Sequence, residues 1–342
     1  MQIIQCEEEQ RRVWDDFVMD HGRSNIGHLF AWKKIVGKGL GHTTVYLMAK
    51  EGDEVKAVLP LAFVKTWWGA RFYVSLPWID YAGICADSEV AAEEIAGHAE
   101  RLARRSGARF VEYRSIEPMI AGTPIRDDKV TFRLELDRDP EVIWKRFDAK
   151  LRNQIRKSEK SGLTVGIFGP ERLDDFYRIF CWKMRDLGTP VWGKRFFASI
   201  FDELADSARI VLVFNQKMPI AGGLLLAFKD MLYVPSASSY NEFLKFCPNH
   251  ALYWQVIKYG CENGYRYFDF GRSTWNSPTF NFKKQWVSPP IQLNWQYTLT
   301  RTEAIPAMNP DNPKYKTLIS LWRRLPLWLT NFLGPKVIRN FP

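Results

Sequence analysis

The sequence lacks several patterns that mark common classes of protein. Its five cysteines include no Cys-x-x-Cys pair, and its five histidines show no spacing typical of metal ligands. These absences argue against a disulfide framework and a metal site, and they favour a reducing compartment. No apolar run approaches the ~20 residues that cross a bilayer, and the N-terminus has no apolar signal core. We therefore expect a cytoplasmic protein without a bound metal.

Positive charge is in excess, and it is concentrated in two segments. The net charge is +10, and residues 145–160 contribute +5 of it from seven basic and two acidic residues. Residues 301–342 contribute another +5 from the same numbers of each, so the remainder of the chain nets zero. Each segment is interpreted either as a surface for an anionic partner or as an ordinary solvated face.

Predicted helices and strands follow an order that occurs twice along the chain. Each half has helices, a three-strand meander, a long helix, a short strand and an alternating strand. Gly107–Tyr113 and Gly264–Phe270 match at an offset of 157, each directly after a predicted helix. The meanders match through Leu61–Phe63 and Leu226–Phe228. The repeated order predicts that the chain is a duplication.

We predict that each copy forms its own sheet. The alternating strands Val130–Leu136 and Ile291–Leu299 are expected to close the first and the second sheet, respectively. The predicted fold class is α/β (α+β), with mixed, mostly antiparallel sheets flanked by helices and a C-terminal helical tail. The predicted parts are a first half, a basic connecting helix, a second half and a tail, at residues 1–138, 139–162, 163–300 and 301–342.

This order of elements resembles the GNAT acyltransferase fold, and a tandem pair resembles the FemABX aminoacyltransferases. Lys150–Val165 is similar to the family's basic helix that leads into the second half. Phe268–Ser273 with Phe282–Trp286 resembles the closing motif of FemAB-related proteins found with exosortase/PEP-CTERM exopolysaccharide systems. The resemblance covers essentially the whole chain, and the first half is the weaker match.

The resemblance implies an enzyme that moves an acyl or aminoacyl group to an amine or hydroxyl of a cell-envelope precursor. The acceptor would be a peptidoglycan or exopolysaccharide precursor, as a saccharide or a lipid-linked molecule. The donor would be an activated acyl group on tRNA or coenzyme A, not a tightly bound cofactor. The sequence lacks the Gln/Arg-x-x-Gly-x-Gly/Ala segment that usually holds the pyrophosphate of coenzyme A, which weakens that donor.

The segment from Gly264 to Trp286 carries the predicted catalytic residues. Asp269 is expected to act as a general base or to orient the amine, and the alternative is a carboxylate that accepts N–H bonds from the loop. Arg272 suits a bidentate clamp for phosphate or carboxylate. Lys283 is predicted to meet a phosphate or the leaving group. The alternative for Asp269 and Arg272 is a structural role in the turn, and the alternative for the adjacent lysines is that one of them is solvated.

Residues predicted to bind substrate come from four parts of the chain. They are Ser238, Ser239 and Tyr240 in a polar loop, Ser273 and Lys284 near the catalytic candidates, Arg152, Arg156 and Lys157 on the basic helix, and Asp80 and Tyr81 in the first half. Turn chemistry and solvated basic residues are the simpler interpretations. Only the second half has the Gly-Arg-Ser turn, so we expect the donor there. The acceptor is expected at the first half and the basic helix.

Other functions compatible with the sequence need no catalysis. A non-catalytic GNAT-fold module would bind tRNA or a polyanionic glycan through the basic helix. A membrane-recruiting partner of a polysaccharide assembly system would use the tail, where apolar residues recur beside Arg323 and Arg324. That pattern suits a helix on the inner face of an anionic membrane, or a helix that packs on the body.

Overall fold

The computed structural model describes residues 1–305 and 313–341. The strands are β1 Gln2–Gln5, β2 Thr43–Glu51, β3 Glu54–Lys65, β4 Arg71–Val74, β5 Cys85–Ala86, β6 Phe110–Ser115, β7 Ile125–Thr131, β8 Arg133–Glu135, β9 Leu163–Phe168, β10 Ala208–Asn215, β11 Met218–Phe228, β12 Met231–Ser239, β13 Tyr267–Asp269, β14 Ser273–Thr274 and β15 Ile291–Leu299. The α-helices are α1 Arg11–Asp20, α2 Trp32–Leu40, α3 Glu89–Ser106, α4 Pro140–Arg146, α5 Ala149–Lys160, α6 Leu173–Leu187, α7 Lys194–Glu203, α8 Pro248–Glu262, α9 Pro278–Lys283, α10 Pro313–Arg324 and α11 Leu327–Ile338.

Contacts divide the chain into two compact units. Unit 1 contains residues 1–129, 292–309 and 335–342, and unit 2 contains residues 130–291 and 310–334. Each unit is therefore built from segments that are distant in sequence, whereas the predicted parts were consecutive. Residues 306–312 and 342 of the predicted tail lie outside the described residues.

Unit 1 is built on a mostly antiparallel sheet with the strand order β1-β2-β3-β4-β6-β15-β7. Its parallel pair is β4 with β6, where Val74 lies opposite Glu112. Helix α3 packs on this sheet through a row of alanines and Ile95. It begins at Ser88, whose side chain accepts a hydrogen bond from the Ala91 amide, and it ends at Gly107 in the left-handed conformation, as the sequence predicts.

Unit 2 repeats the same plan in a sheet with the order β8-β13-β12-β11-β10-β9. Its parallel pair is β12 with β13, where Tyr233 lies opposite Asp269. A Cβ atom added at Gly222 would lie 3.4 Å from Phe176 of α6, and one added at Gly223 would lie 3.5 Å from Leu252 of α8. Because successive residues of a strand face opposite sides, α6 and α8 cover opposite faces of the sheet.

The duplication is confirmed by these pairings, with one adjustment. Glu112 and Asp269 occupy the same place in the two parallel pairs, in agreement with the offset of 157. Val74 therefore corresponds to Tyr233, and its neighbour on β3, Ala62, corresponds to Leu226. The predicted match of the meanders is thus wrong by one residue. Runs of similar apolar residues do not specify register, although a slip of one residue reverses every side chain.

The two closing strands are exchanged between the copies, contrary to the prediction. The segment Val130–Leu136 is interrupted at Phe132, and β8, which follows, pairs with β13 of unit 2. In turn β15, expected to close the second sheet, pairs with β6 of unit 1. Alternation along a strand shows that one face is buried, but it does not show in which sheet.

The predicted connecting helix is two helices rather than one. Helix α4 ends at Arg146, and Asp148 starts α5 by accepting a hydrogen bond from the amide of Leu151. In the tail, α10 packs on α6 of unit 2, where Arg323 donates to the Leu187 carbonyl. Leu318 of α10 remains 61% exposed. The tail helix therefore packs on unit 2, as one of the two interpretations predicts, but not through Leu318.

Candidate functional site

The sheet of unit 2 splays at the end of its parallel pair. Strand β13 ends at Asp269, opposite Tyr233, whereas β12 continues along β11 as far as Ser239. The register with β11 shifts where Val234 and Pro235 oppose a single residue, which is a β-bulge. Beyond the bulge, the amide of Tyr240 points to Ile220 of β11. By alternation, the amides of Ala237 and Ser239 point to the side where β13 has ended.

Ser238 and Ser239 lie in strand β12, and the predicted polar loop begins only at Tyr240. Ser238 pairs with Gly222 on the face that α6 covers, and Ser239 pairs with Ala221 on the face that α8 covers. Both hydroxyls are buried without a hydrogen-bond partner among the described residues. The two serines therefore serve opposite faces of the sheet. Their polar character suggested a loop, because the signal for a strand whose hydroxyls are buried is weak.

Asp269 is fully buried and holds the turn that follows β13. Its Oδ1 accepts hydrogen bonds from Thr131 Oγ1 at 2.6 Å and from the Gly271 amide at 2.8 Å. Its Oδ2 lies 3.6 Å from Arg133 Nη2 on the neighbouring strand. These contacts are of the kind that the structural alternative for Asp269 predicts.

Lys283 is buried against the same turn. Its ammonium donates to the carbonyl oxygens of Gly271 at 2.7 Å and Arg272 at 2.8 Å. Its neighbour Lys284 is exposed, and the Arg272 side chain is partly buried. Ser273, the next residue, is buried and its hydroxyl has no partner among the described residues. The structure thus brings four predicted residues to one turn, where Lys283 fixes the backbone that carries Arg272.

The first turn of α8 contributes a histidine that the sequence analysis did not select. The His250 ring lies 5.0 Å from the ring of Phe282 and 6.0 Å from that of Trp286. Burial lowers the pKa of His250 to about 4, so the imidazole is neutral at physiological pH. Its Nε2 is buried without a partner in the part of the chain that the structure describes. Its position in the first turn of the last long helix is the signal that points to it.

The basic helix α5 lies beside the start of α8. Cys247 Sγ, next to the first residue of α8, donates to Gln154 Oε1 at 2.8 Å. Burial raises the pKa of Cys247, and the positive charge of Lys157 opposes that shift. Arg156 stacks over the Trp144 ring at 5.3 Å, and Arg152 Nε is buried without a partner among the described residues. The Lys157 cation and a helix N-terminus therefore meet at this end of α8, an arrangement that favours anions.

The remaining predicted residues lie elsewhere. Tyr240, directly after β12, packs against Trp182 of α6, with ring centres 6.4 Å apart. Asp80 and Tyr81 are buried in unit 1, where the Asp80 carbonyl accepts a hydrogen bond from Trp295 Nε1 at 3.1 Å. The structure thus places Asp80 and Tyr81 in unit 1 and the other predicted residues in unit 2.

Residues 1–305 and 313–341 contain no cluster of three or more His, Cys, Asp or Glu side chains arranged to hold a metal ion. None of the helices in these ranges combines the length and the apolar character that a membrane span requires.

Comparison with known proteins identifies this architecture. Residues 145–284 match the family model of the acetyltransferase (GNAT) domain. No curated protein sequence gave a significant match. FemX has the same fold, with a TM-score of 0.68 at 17% identity over 88% of this chain and 98% of FemX.

Two other solved structures show the same fold. The C-terminal domain of a putative lysylphosphatidylglycerol synthetase from Agrobacterium fabrum has a TM-score of 0.58 at 14% identity, over 86% of this chain and 92% of that domain. A tandem GNAT protein from the clavulanic acid biosynthesis pathway has a TM-score of 0.54 at 10% identity, over 89% and 99%. The chain therefore has a duplicated GNAT fold, and its residues 145–284 match the acetyltransferase (GNAT) domain.

Proposed function

We propose that this protein is an acyltransferase that modifies an amine or hydroxyl of a cell-envelope component, with the acyl donor bound by unit 2. The observation that carries the proposal is the splay between β12 and β13, which lies within the segment that matches the GNAT domain. In the GNAT plan, this opening holds the acyl group. The envelope acceptor is suggested by FemX and by the lysylphosphatidylglycerol synthetase domain, which share the fold.

In the proposed reaction, the acceptor nitrogen or oxygen attacks the acyl carbon and forms a tetrahedral oxyanion. The carbon–sulfur or carbon–oxygen bond to the donor then breaks, and the leaving group takes up the proton that the acceptor loses. The amides of Ala237 and Ser239 are suited to stabilise the oxyanion, because they point to the side where β13 has ended. Such donors act without reorganisation, since the strand already holds them.

The donor's anionic part is proposed to lie at the start of α8, near Lys157. The helix N-terminus carries a partial positive charge, and the Lys157 side chain adds a full one. A ribose phosphate of aminoacyl-tRNA and the pyrophosphate of coenzyme A are both anionic. Arg272 is proposed to bind a charged group of the substrate, and Asp269 and Lys283 to position its backbone.

A proline substitution tests the oxyanion assignment. Ala237→Pro removes one amide donor and leaves the ladder with β11 intact, because that amide points away from β11. We expect transfer to fall by about 10²-fold or more in kcat, while Ala237→Gly, which keeps the amide, stays near the wild type. Acyl-coenzyme A and aminoacyl-tRNA are assayed as separate donors. A folded Ala237→Pro variant with wild-type kcat would contradict the assignment.

The acceptor is tested in cells. Mass spectrometry of envelope lipids and glycans from cells with and without the gene should show one acyl or aminoacyl mass that depends on the protein. The same mass should be missing when the gene carries Arg272→Ala. If neither donor is consumed and no mass changes, the protein is a binding module, and the transferase proposal fails.

A further inference from the structure

The hairpin between β3 and β4 presents two tryptophans at the tip of a rigid turn in unit 1. Trp67 and Trp68 are 66% and 50% exposed. The turn is closed by the Thr66 amide donating to the Ala70 carbonyl at 2.9 Å and by the Ala70 amide donating to Thr66 Oγ1 at 2.8 Å. Gly69 takes the left-handed conformation that this turn requires. The hydrogen-bonded backbone of this turn therefore keeps both rings exposed.

The end of the chain extends the apolar tip. The Phe341 ring lies 5.4 Å from the ring of Trp68. The Asn340 side chain accepts a hydrogen bond from the Trp67 amide at 3.0 Å and donates to the Lys336 carbonyl at 2.8 Å. We call Trp67, Trp68 and Phe341 the aromatic tip. Its rings pack against one another in edge or tilted geometry, so they form one apolar knob rather than separate flat faces.

Four cations form a row across the strands next to this tip. Lys65 of β3 lies directly opposite Arg71 of β4. The Arg109 amide donates to the Arg71 carbonyl at 2.7 Å, and the Arg301 amide donates to the Arg109 carbonyl at 3.1 Å. Lys65 and Arg71 lie at the paired ends of β3 and β4, Arg109 lies directly before β6, and Arg301 lies two residues after β15. We call these four cations the basic row.

Contacts within the described part of the protein do not account for all four cations of the basic row. None of its side chains forms an ion pair with a carboxylate within residues 1–305 and 313–341. Like charges that lie directly opposite on neighbouring strands are destabilising, as for Lys65 and Arg71. Arg71 donates to the Ser106 carbonyl at the end of α3, and the Arg301 guanidinium lies beside it at Gly107, so the helix end accounts for two of the four cations. All four side chains belong to exposed residues, so the row is accessible to an anionic partner.

We propose that unit 1 docks on an anionic lipid surface, with the aromatic tip in the headgroup region and the basic row on acidic headgroups. Tryptophan favours the membrane interface because it combines a large apolar body with a polar N–H group. Cations beside it gain from the negative surface potential of the membrane. A nucleic acid would also attract the basic row, but single-stranded bases stack on separate aromatic faces, which this knob does not offer.

Vesicle flotation with the full chain tests the proposal. The protein should bind vesicles of phosphatidylcholine with phosphatidylglycerol, and it should bind far less to phosphatidylcholine alone. Arg71→Gln, Arg109→Gln and Arg301→Gln together should weaken binding about a hundredfold, since each charge contributes roughly fivefold. Trp67→Ala with Trp68→Ala should weaken it on the order of tenfold, and phenylalanine at both positions should restore most of it.

Matched variants separate this surface from general effects of charge and exposure. Arg12→Gln, Arg101→Gln and Lys217→Gln remove the same three charges from other exposed positions and should leave binding nearly unchanged. Trp275→Ala removes a tryptophan that is 42% exposed in unit 2 and should do the same. Thermal unfolding confirms that each variant is folded. Equal loss in both triple variants, absence of vesicle binding, or binding of single-stranded RNA in its place would overturn the proposal.

Discussion

The two copies of the duplicated fold bury a carboxylate at the same place and use it differently. Glu112 in unit 1 and Asp269 in unit 2 each occupy the last paired position of a parallel strand pair. Each also faces a residue on the exchanged closing strand, which is Tyr297 opposite Glu112 and Arg133 opposite Asp269. The position of the carboxylate and of its neighbour on the closing strand is therefore common to both units. The units differ in the side chains around that position.

In unit 1, hydrogen bonds connect Ser75, which directly follows β4, to β6. The Ser75 amide donates to the Glu112 carbonyl at 2.9 Å, and Ser75 Oγ accepts from the Arg114 amide at 2.8 Å. The Arg114 guanidinium is 1% exposed, binds Glu112 Oε1 at 2.6 Å and the Ile79 carbonyl at 3.2 Å, and stacks on the Trp295 ring at 4.3 Å. This side chain occupies the place where unit 2 splays.

In unit 2 the equivalent of Arg114, at the offset of 157, is Gly271. It has a φ of 73°, and its amide is held by Asp269. No side chain extends from this position, β12 turns away at its bulge, and the hydroxyls of Ser238, Ser239 and Ser273 are buried without a partner among the described residues. Arginine against glycine is therefore one of the differences between the closed copy and the copy that is proposed to bind the donor.

Among the substitutions that test this comparison, the largest expected effect is a loss of stability caused by a change in unit 1. Arg114→Met leaves the Glu112 carboxylate buried without its cation, and we expect a loss of about 3–5 kcal/mol in the free energy of unfolding. Urea unfolding followed by circular dichroism measures this loss. Transfer per folded molecule should remain, because the donor is proposed to bind unit 2.

A second substitution provides the control for Arg114→Met. Adding Glu112→Gln removes the uncompensated charge, so the double variant should recover a large part of the loss. Tyr297 can still donate its phenol proton to the amide oxygen at position 112, which is now bonded at 2.6 Å to Glu112. A double variant less stable than Arg114→Met would show that the charge is not the cause.

The strand positions that the two units share were largely predictable from the sequence, whereas many of the differences between the units were not. The offset of 157 located Glu112, Asp269 and the Gly-Arg-Ser turn, because short apolar strands after a helix leave a clear pattern. The exchange of closing strands was missed, since β8 and β15 alternate in the same way. The role of Lys283 was also missed, because a buried lysine bonded to carbonyl oxygens looks like any other lysine in a sequence.

Acid should destabilise both units through one histidine each. Burial lowers the pKa of His42 in unit 1 and of His250 in unit 2 to about 4, from an ordinary value of about 6.5. The folded state resists protonation, so each contribution is complete above pH ~6.5 and falls by roughly 3 kcal/mol as the pH drops to ~4. Unfolding measured at several pH values should show a shallower slope for His42→Phe and for His250→Phe. Wild-type slopes in both variants would contradict the assignment.

The turn of unit 2 depends on one of two adjacent lysines. Lys283→Met removes two charge-assisted hydrogen bonds to the carbonyls of Gly271 and Arg272, and we expect a loss of about 2 kcal/mol in stability. Lys284→Met, at an exposed position, should change stability by less than ~0.5 kcal/mol. Because the turn carries Arg272, Lys283→Met should also raise KM more than it lowers kcat. If Lys283→Met and Lys284→Met had equal effects, Lys283 would not position the turn.

The smallest expected effect compares buried hydroxyls in the two copies. Ser75→Ala in unit 1 deletes a made hydrogen bond and should cost about 1 kcal/mol. Ser239→Ala in unit 2 deletes a buried hydroxyl without a described partner, so stability should stay equal or rise by up to ~1 kcal/mol. If Ser239→Ala gains stability and loses transfer, the hydroxyl is kept for the substrate at a cost to the fold. A loss of stability like that of Ser75→Ala would instead mean that ordered water makes a hydrogen bond to the Ser239 hydroxyl. Unit 2 would then differ less from unit 1 than its side chains indicate.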